Sequence, residues 1–329
     1  MNFEQLFSNF SNIKVAVVGD VMLDTYMWGS VDRISPEAPV PVVALKKKEY
    51  RIGGAGNVAL NTVSLGAATT MLSVIGDDED GKQLKLLLEQ NGINCNYLIE
   101  SNKRITTNKI RVIARNQQMM RLDAELTNDL DNFLENALIE KVKTCFNNNK
   151  PDVLILEDYN KGVLTESVIA ELIALCKKHE VITTVDPKRK NFFSYKGVDI
   201  FKPNLKEVKE GLNLLGEDVS ETSLQNIHAA LYKHLQHGIS LITLSEKGIF
   251  YQSPSQHKII PTHVRSIADV SGAGDTVIAV ASLVYAATKD IDLAAEMANI
   301  AGGIVCEEVG TVAIDKEKLM KECEILLKS

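Results

Sequence analysis

The chain has 329 residues, 45% hydrophobic and 24% charged, an ordinary globular composition long enough to bury a sizeable core. A net charge of −7 leaves no electrostatic footprint for nucleic acid, so an anion must be met by a local site rather than by a global field. The cysteines Cys95, Cys145, Cys176, Cys306 and Cys323 are odd in number, widely spread and without a CxxC pair, which argues for reduced thiols in a cytoplasmic protein. No basic region with an apolar run opens the chain, and no stretch of roughly 18 residues lacks a polar one, so neither a leader nor a membrane span is expected.

Along the chain, the first strong apolar run is Val15 to Val18, short and β-branched, ending in Gly19-Asp20. It reads as a buried strand delivering an acid to its C-terminal end. Similar runs recur at 70–75, 153–156, 181–185 and 241–244, with helical patterns between them at 80–91 and 165–179. Strands alternating with helices predict a doubly wound, mainly parallel α/β sheet whose ligand site lies at the carboxyl ends of the strands. Two segments break the rhythm: 25–50, with Pro36, Pro39 and Pro41, and 104–121, where Lys109 to Ile113 alternates at period two. They are expected to form a small β-layer projecting from the main sheet, as a lid or a dimer surface. With no long linker or internal repeat, residues 1–329 read as one domain with that excursion.

The sharpest chemical signal is Asp269-Val-Ser-Gly-Ala-Gly-Asp275-Thr276, followed by a run rich in small and apolar residues suited to a buried helix. Gly272 and Gly274 let the backbone turn tightly around Ala273, leaving free helix N–H groups aimed at one spot, where a phosphoryl oxygen fits. Asp275 in the first turn then stands beside that anion hole, where it can take a proton from an attacking hydroxyl. The alternative is an ordinary glycine-rich helix start capped by an acid. Gly54-x-Gly56-x-x-Ala59 also invites reading as a dinucleotide fingerprint, but the charged stretch before it is no buried strand. Gly76 to Lys82 meets the spacing GxxxxGK, yet it is filled with carboxylates and is expected to be an acidic turn capping a helix.

The 269–276 segment resembles the DTxGAGD signature of the ribokinase-like (PfkB) carbohydrate kinases, and Gly53-Gly54-Ala55-Gly56-Asn57 resembles their N-terminal GG-x-x-x-N element, in approximate register. The resemblance runs end to end. It implies a ribokinase-like fold using ATP and magnesium, with Asp275 as base and Gly272, Ala273 and Gly274 as the anion hole. It further implies that Asp20, Asp24, Gly54, Asn57 and Asp158 meet sugar hydroxyls, although Asp20 and Asp24 could equally be turn residues after a strand. Asn204 and Glu207 match the NxxE element that organises the magnesium water shell; read alone, they are a capped helix start. Ser245 and Gly248 resemble the loop flanking adenine and ribose, and Asn299 lies on the helix that closes over the base. Asp269 and Ser271 stand where a monovalent cation such as potassium would lie, or they tie the loop to its neighbours.

Within the family, Arg33-Ile-Ser-Pro-Glu-Ala-Pro-Val-Pro41 and Glu157-Asp-Tyr-Asn-Lys-Gly162 resemble the heptose-phosphate kinases of ADP-heptose and lipopolysaccharide synthesis, which phosphorylate O1 of D-glycero-β-D-manno-heptose 7-phosphate. The absence of an HxGH motif predicts that no nucleotidyltransferase domain accompanies the kinase here. The far phosphate of such a substrate needs cations. Arg104, Lys109 and Arg111 are the first candidates, because alternation puts the last two on one strand face, and Lys188 is a weaker one that could serve ATP phosphates instead. Solvated lid charges are the plainer reading. Two other functions stay open: a kinase for another sugar, and a catalytically inactive sugar-binding regulator, which would have no need of a base aimed at a phosphoryl group. A homodimer through the lid is expected; no nucleic acid or membrane partner is.

Overall fold

The computed structural model describes residues 2–115, 117–214 and 219–327. The lid expectation at 104–121 therefore includes one residue, 116, outside the described set. The chain enters through helix α1 (Phe3–Asn9) and strand β1 (Lys14–Gly19), then leaves the core along two 14-residue strands, β2 (Val21–Ile34) and β3 (Pro41–Gly54), before α2 (Ala55–Ser64) returns it. Next come β4 (Ala68–Leu72), β5 (Val74–Gly76), α3 (Glu79–Gln90), β6 (Ile99–Ser101), β7 (Asn108–Ala114), β8 (Gln117–Ala124) and α4 (Asn132–Asn149). The second half runs β9 (Val153–Glu157), α5 (Glu166–His179), β10 (Ile182–Asp186), β11 (Ile200–Phe201), α6 (Leu205–Leu212), α7 (Glu221–Leu235) and β12 (Ile239–Thr243). A hairpin of β13 (Ile249–Gln252) and β14 (His257–Ile260) precedes α8 (Ala273–Thr288), α9 (Ile291–Val305) and α10 (Lys316–Leu326).

The main sheet has the order β14-β13-β12-β11-β10-β9-β1-β4, parallel throughout except at β13 and β14. Its β-branched strands are buried on both faces, which is why they read as continuous apolar runs. Within β1, Val15 and Val17 face a core shared with α2, α8 and α9, whereas Ala16 and Val18 face the core built on α4, α5 and α7. From β1 the sheet grows first to β4 on one side and then to β9 on the other, so the carboxyl ends of β1 and β9 flank a crevice at a topological switch point.

The expected β-excursion is a separate sheet of order β3-β2-β7-β8. The expectation of one strand over 70–75 is corrected: Ser73 donates its hydroxyl to the Gly19 carbonyl at 2.6 Å, and the chain divides there between β4 of the main sheet and β5 of a two-stranded ribbon with β6. The acidic turn is as expected, with Asp78 capping α3 by accepting the Gly81 N–H at 2.7 Å. Among the described residues no helix is long and apolar enough to cross a membrane.

Candidate active site

Buried parallel strands carry polar residues to their carboxyl ends: Asp20 after β1, Glu157 and Asp158 at β9, Asp186 at β10 and Lys202 after β11, each nearly inaccessible to solvent. Above them α8 begins at Gly272, whose φ of 78° lies in the left-handed region and which no side chain caps. A Cβ on Gly272 would come within 2.8 Å of Asn57 Nδ2, so both conformation and space demand glycine. A Cβ on Gly274 would lie 3.7 Å from an Asp186 oxygen and 3.8 Å from Lys202 Nζ, which places the turn against those charges. Gly54 likewise has φ 57° and packs on the Asp20 carbonyl, which accepts the Ala55 N–H as α2 starts.

Asp275 is buried in the first turn of α8, with one donor on each oxygen: Tyr159 Oη to Oδ1 at 2.6 Å and Asn57 Nδ2 to Oδ2 at 2.8 Å. Asn57 is fixed in turn by Asn61, which also accepts the Ile314 N–H and the Thr276 hydroxyl. Burial pushes the Asp275 carboxyl up to about 6, against the opposing hydrogen bonds of Tyr159 and Asn57. That is a range suited to a general base.

Around this carboxylate lies a charge cluster of which the sequence expectation held only Asn204, Glu207 and Lys188. Lys202 pairs with Asp186 Oδ2 at 2.8 Å, and Lys188 reaches Asp186 Oδ1 at 3.2 Å and Glu207 Oε1 at 2.8 Å. Burial opposes ionisation of Asp186, but the two ammonium groups outweigh it and hold the carboxyl below its usual range. Asn204 and Glu207 form a reciprocal capping box, each side chain accepting the other's N–H at 2.8 Å. Glu157 differs from its neighbours: it is wholly buried, and among the described residues neither carboxylate oxygen has a hydrogen-bond partner. Burial, and then the charges of Asp186 and Asp275, push its carboxyl well above the ordinary value. The oxygens of Glu157, Asp186 and Asp275 lie within 4.8 Å of one another.

On the lid, direct pairing puts Lys109 opposite Asp24 and Arg111 opposite Tyr26, so these four share the face turned toward the core. Arg111 meets Asp24 at 2.5 Å, and Lys109 Nζ lies 5.3 Å from the centre of the Tyr159 ring. Ser245, Gly248 and Asn299 also converge: Gly248 packs on the Ile260 carbonyl, the Ser245 carbonyl accepts from Thr262, and Asn299 Nδ2 donates to the Pro261 carbonyl at 2.8 Å.

Four of the expected site residues are engaged within the protein itself. Asp20 accepts the backbone N–H groups of Tyr159, Lys161 and Val163 at 2.8, 3.0 and 3.1 Å, and so shapes the loop after β9. Asp158 turns to Tyr195 Oη at 2.7 Å and to the Asn160 N–H, with its carboxyl raised to about 6 by burial and by Asp20. Arg104 donates to the carbonyls of Asn128 and Lys161, which tie that same loop down, and so stands apart from Lys109 and Arg111. Asp269 accepts the N–H and hydroxyl of Ser271 and the Gly310 N–H, which ties the loop to its neighbours. Replacing Asp20 with asparagine puts an amide donor in front of backbone donors, and it is expected to lower stability by about 1–3 kcal/mol, checked by urea unfolding.

Glu157, Tyr159, Asp186 and Lys202 have no role in the sequence expectation. The available signal was positional: Glu157, Asp186 and Lys202 each stand at or just after the end of a buried strand, where α/β sheets place their chemistry.

The pfkB family carbohydrate kinase description matches residues 12–318. The chain is 41% identical over 96% of its length to a protein of Aliarcobacter butzleri named bifunctional protein HldE. It spans 64% and 65% of the length of the first curated relatives it matches. Among solved structures, phosphofructokinase-2 from Escherichia coli in complex with potassium is similar with a TM-score of 0.80 at 16% identity, covering 96% of this chain and 99% of that one. Arabidopsis thaliana ribokinase complexed with ribose and ATP is similar with a TM-score of 0.72 at 17% identity, covering 94% and 98%.

Proposed function

We propose that this chain, which belongs to the pfkB family of carbohydrate kinases, transfers the γ-phosphoryl group of ATP to O1 of D-glycero-β-D-manno-heptose 7-phosphate. The observation that carries a kinase reading is the buried Asp275, held by Asn57 and Tyr159 beside an uncapped glycine-rich helix start with Lys188 and Lys202 next to it. Helix N–H groups and lysines complement the charge of a transferring phosphoryl group, while the carboxylate receives the proton of the attacking hydroxyl. The heptose assignment rests on the Arg33–Pro41 stretch, on relatives named HldE, and on two cations at the lid face for a second phosphate.

We take residues 1–329 as one kinase domain working in the cytoplasm, where its free cysteines stay reduced. Asp24, Asn57 and the backbone at Gly54 would meet the sugar, and Ser245, Gly248 and Asn299 the nucleotide. A magnesium ion needs hard oxygen donors, and the unpartnered carboxylate of Glu157 fits one. Glu157 would hold the ion directly and Glu207 through water; once bound, the ion supplies charge neutralisation for the phosphates. The outer lid face, where Met120 and Leu122 stay exposed opposite Val112 and Ile110, is assigned to a second copy of the chain.

Incubation with ATP and a panel of sugar phosphates, followed by phosphorus NMR, tests the assignment. An acid-labile glycosyl phosphate beside a stable primary ester is expected with the heptose, and no turnover with its 1-deoxy analogue. Equal kcat/KM on an unphosphorylated hexose would overturn it. Lys109→Ala and Arg111→Ala are each expected to raise KM for the sugar phosphate by about 10-fold or more, the worth of a charge-assisted hydrogen bond, with little change in KM for ATP. An unchanged KM would place the phosphate elsewhere.

A further inference from the structure

We infer that Tyr159 is the positioning residue that fixes the base Asp275 and joins it to the lid. The whole Glu157–Gly162 stretch is built to deliver this one hydroxyl. The Tyr159 N–H is held by Asp20 at 2.8 Å, the same carboxylate takes the N–H groups of Lys161 and Val163, and Arg104 holds the Lys161 carbonyl. Asn160 adopts a left-handed φ of 54°, which turns the chain tightly just after the tyrosine.

The side chain then makes three contacts with three different parts of the molecule. Its hydroxyl donates to Asp275 Oδ1 at 2.6 Å. Lys109 of β7 lies over the ring at 5.3 Å, and Lys188 of the core lies over it at the same distance. Each ammonium gains from the ring's electron-rich face, and the ring gains a fixed seat.

A carboxylate can accept at about four lone-pair positions. With Asn57 on Oδ2 and Tyr159 on Oδ1, one position of each oxygen is spent on orientation and the carboxylate can no longer rotate about its χ2 bond. A tyrosine phenol ordinarily ionises only near about 10, so at neutral pH its hydroxyl serves as a donor. Lys109 is at once a cation proposed for the far phosphate and a wall of the tyrosine's seat. An acceptor whose phosphate is gripped by the lid thereby settles the residue that aims the base. This rests on the kinase reading above.

The test compares wild type, Tyr159→Phe and Tyr159→Ala in the intact chain. Phenylalanine keeps the ring that the two lysines contact and removes only the hydroxyl. It is expected to lower kcat by roughly 10-fold to 100-fold, the usual cost of removing a group that orients a reacting one, with KM for ATP and sugar phosphate within about twofold. Alanine should in addition raise KM for the sugar phosphate, as Lys109 loses its seat. A kcat within twofold of wild type in folded Tyr159→Phe would overturn the inference. A second measurement needs no turnover: in protein labelled at tyrosine, the short hydroxyl bond should give a downfield proton resonance that disappears in both Tyr159→Phe and Asp275→Ala. Loss of that resonance in only one of the two variants overturns the contact, whereas its presence in a protein inert toward every sugar phosphate overturns the kinase reading alone.

Discussion

Asp275→Asn is expected to lower kcat by at least about 100-fold while ATP and sugar phosphate still bind. The substitution preserves shape and burial and removes the ability to take a proton. It also replaces one acceptor oxygen by an amide donor, so either Tyr159 or Asn57 loses its partner, and stability should fall by about 1–3 kcal/mol. The pH profile separates this from a structural effect. Because burial raises the Asp275 carboxyl to about 6, wild-type kcat should fall as pH drops through about 6, where the base becomes protonated. The residual activity of the asparagine variant should lack that limb. Steady-state rates between pH 5 and 9 provide both readouts, and near wild-type turnover in the folded variant would remove Asp275 as base.

Lys202→Met should destabilise the protein by about 3 kcal/mol, the low end for breaking a buried pair, because Lys188 still reaches Asp186. Methionine fills the stem's volume, so the loss reports charge more than packing. The sign with pH follows from the depressed Asp186 carboxyl: its pairing stabilises the fold above the unfolded value of about 3.9 and is lost as pH falls through the lower folded one. With one ammonium gone the folded value rises, so acid unfolding of the variant should begin at higher pH. A urea midpoint and an acid midpoint both equal to wild type would show that Lys202 contributes nothing to this cluster.

The fold was legible wherever periodicity was strong. Residues 153–156 and 241–244 read as strands because both their faces are covered, and Lys109 to Ile113 read as a lid strand because charged and apolar residues alternate along it. At 70–75 the apolar pattern continues through Ser73, and only the tertiary hydrogen bond to Gly19 breaks it. In the site, Asp275 and its glycines were legible because a helix start is a local device. The hydrogen-bond partners of Asp20 and Asp158 were not legible, because a carboxylate after a strand looks the same whether it faces a ligand or the backbone of its own loops; those partners lie about 140 residues away for Asp20 and 37 for Asp158. Lys202 escaped notice because an isolated lysine among apolar residues does not reveal that Asp186 waits beside it.

The two 14-residue arms give the lid the mechanics of a lever. Both leave the core at one place, where Val21 pairs with Gly54, and at about 3.3 Å per residue they reach roughly 45 Å to the turn at 35–40. A rotation of about 5° at that fulcrum would carry the tip through roughly 4 Å. Asp24 and its neighbour Lys109 sit three residues from the fulcrum, only about 10 Å out, and would travel less than about 1 Å. The tip of the lid could therefore swing while the cations near the pivot stay within reach of the phosphate proposed for them.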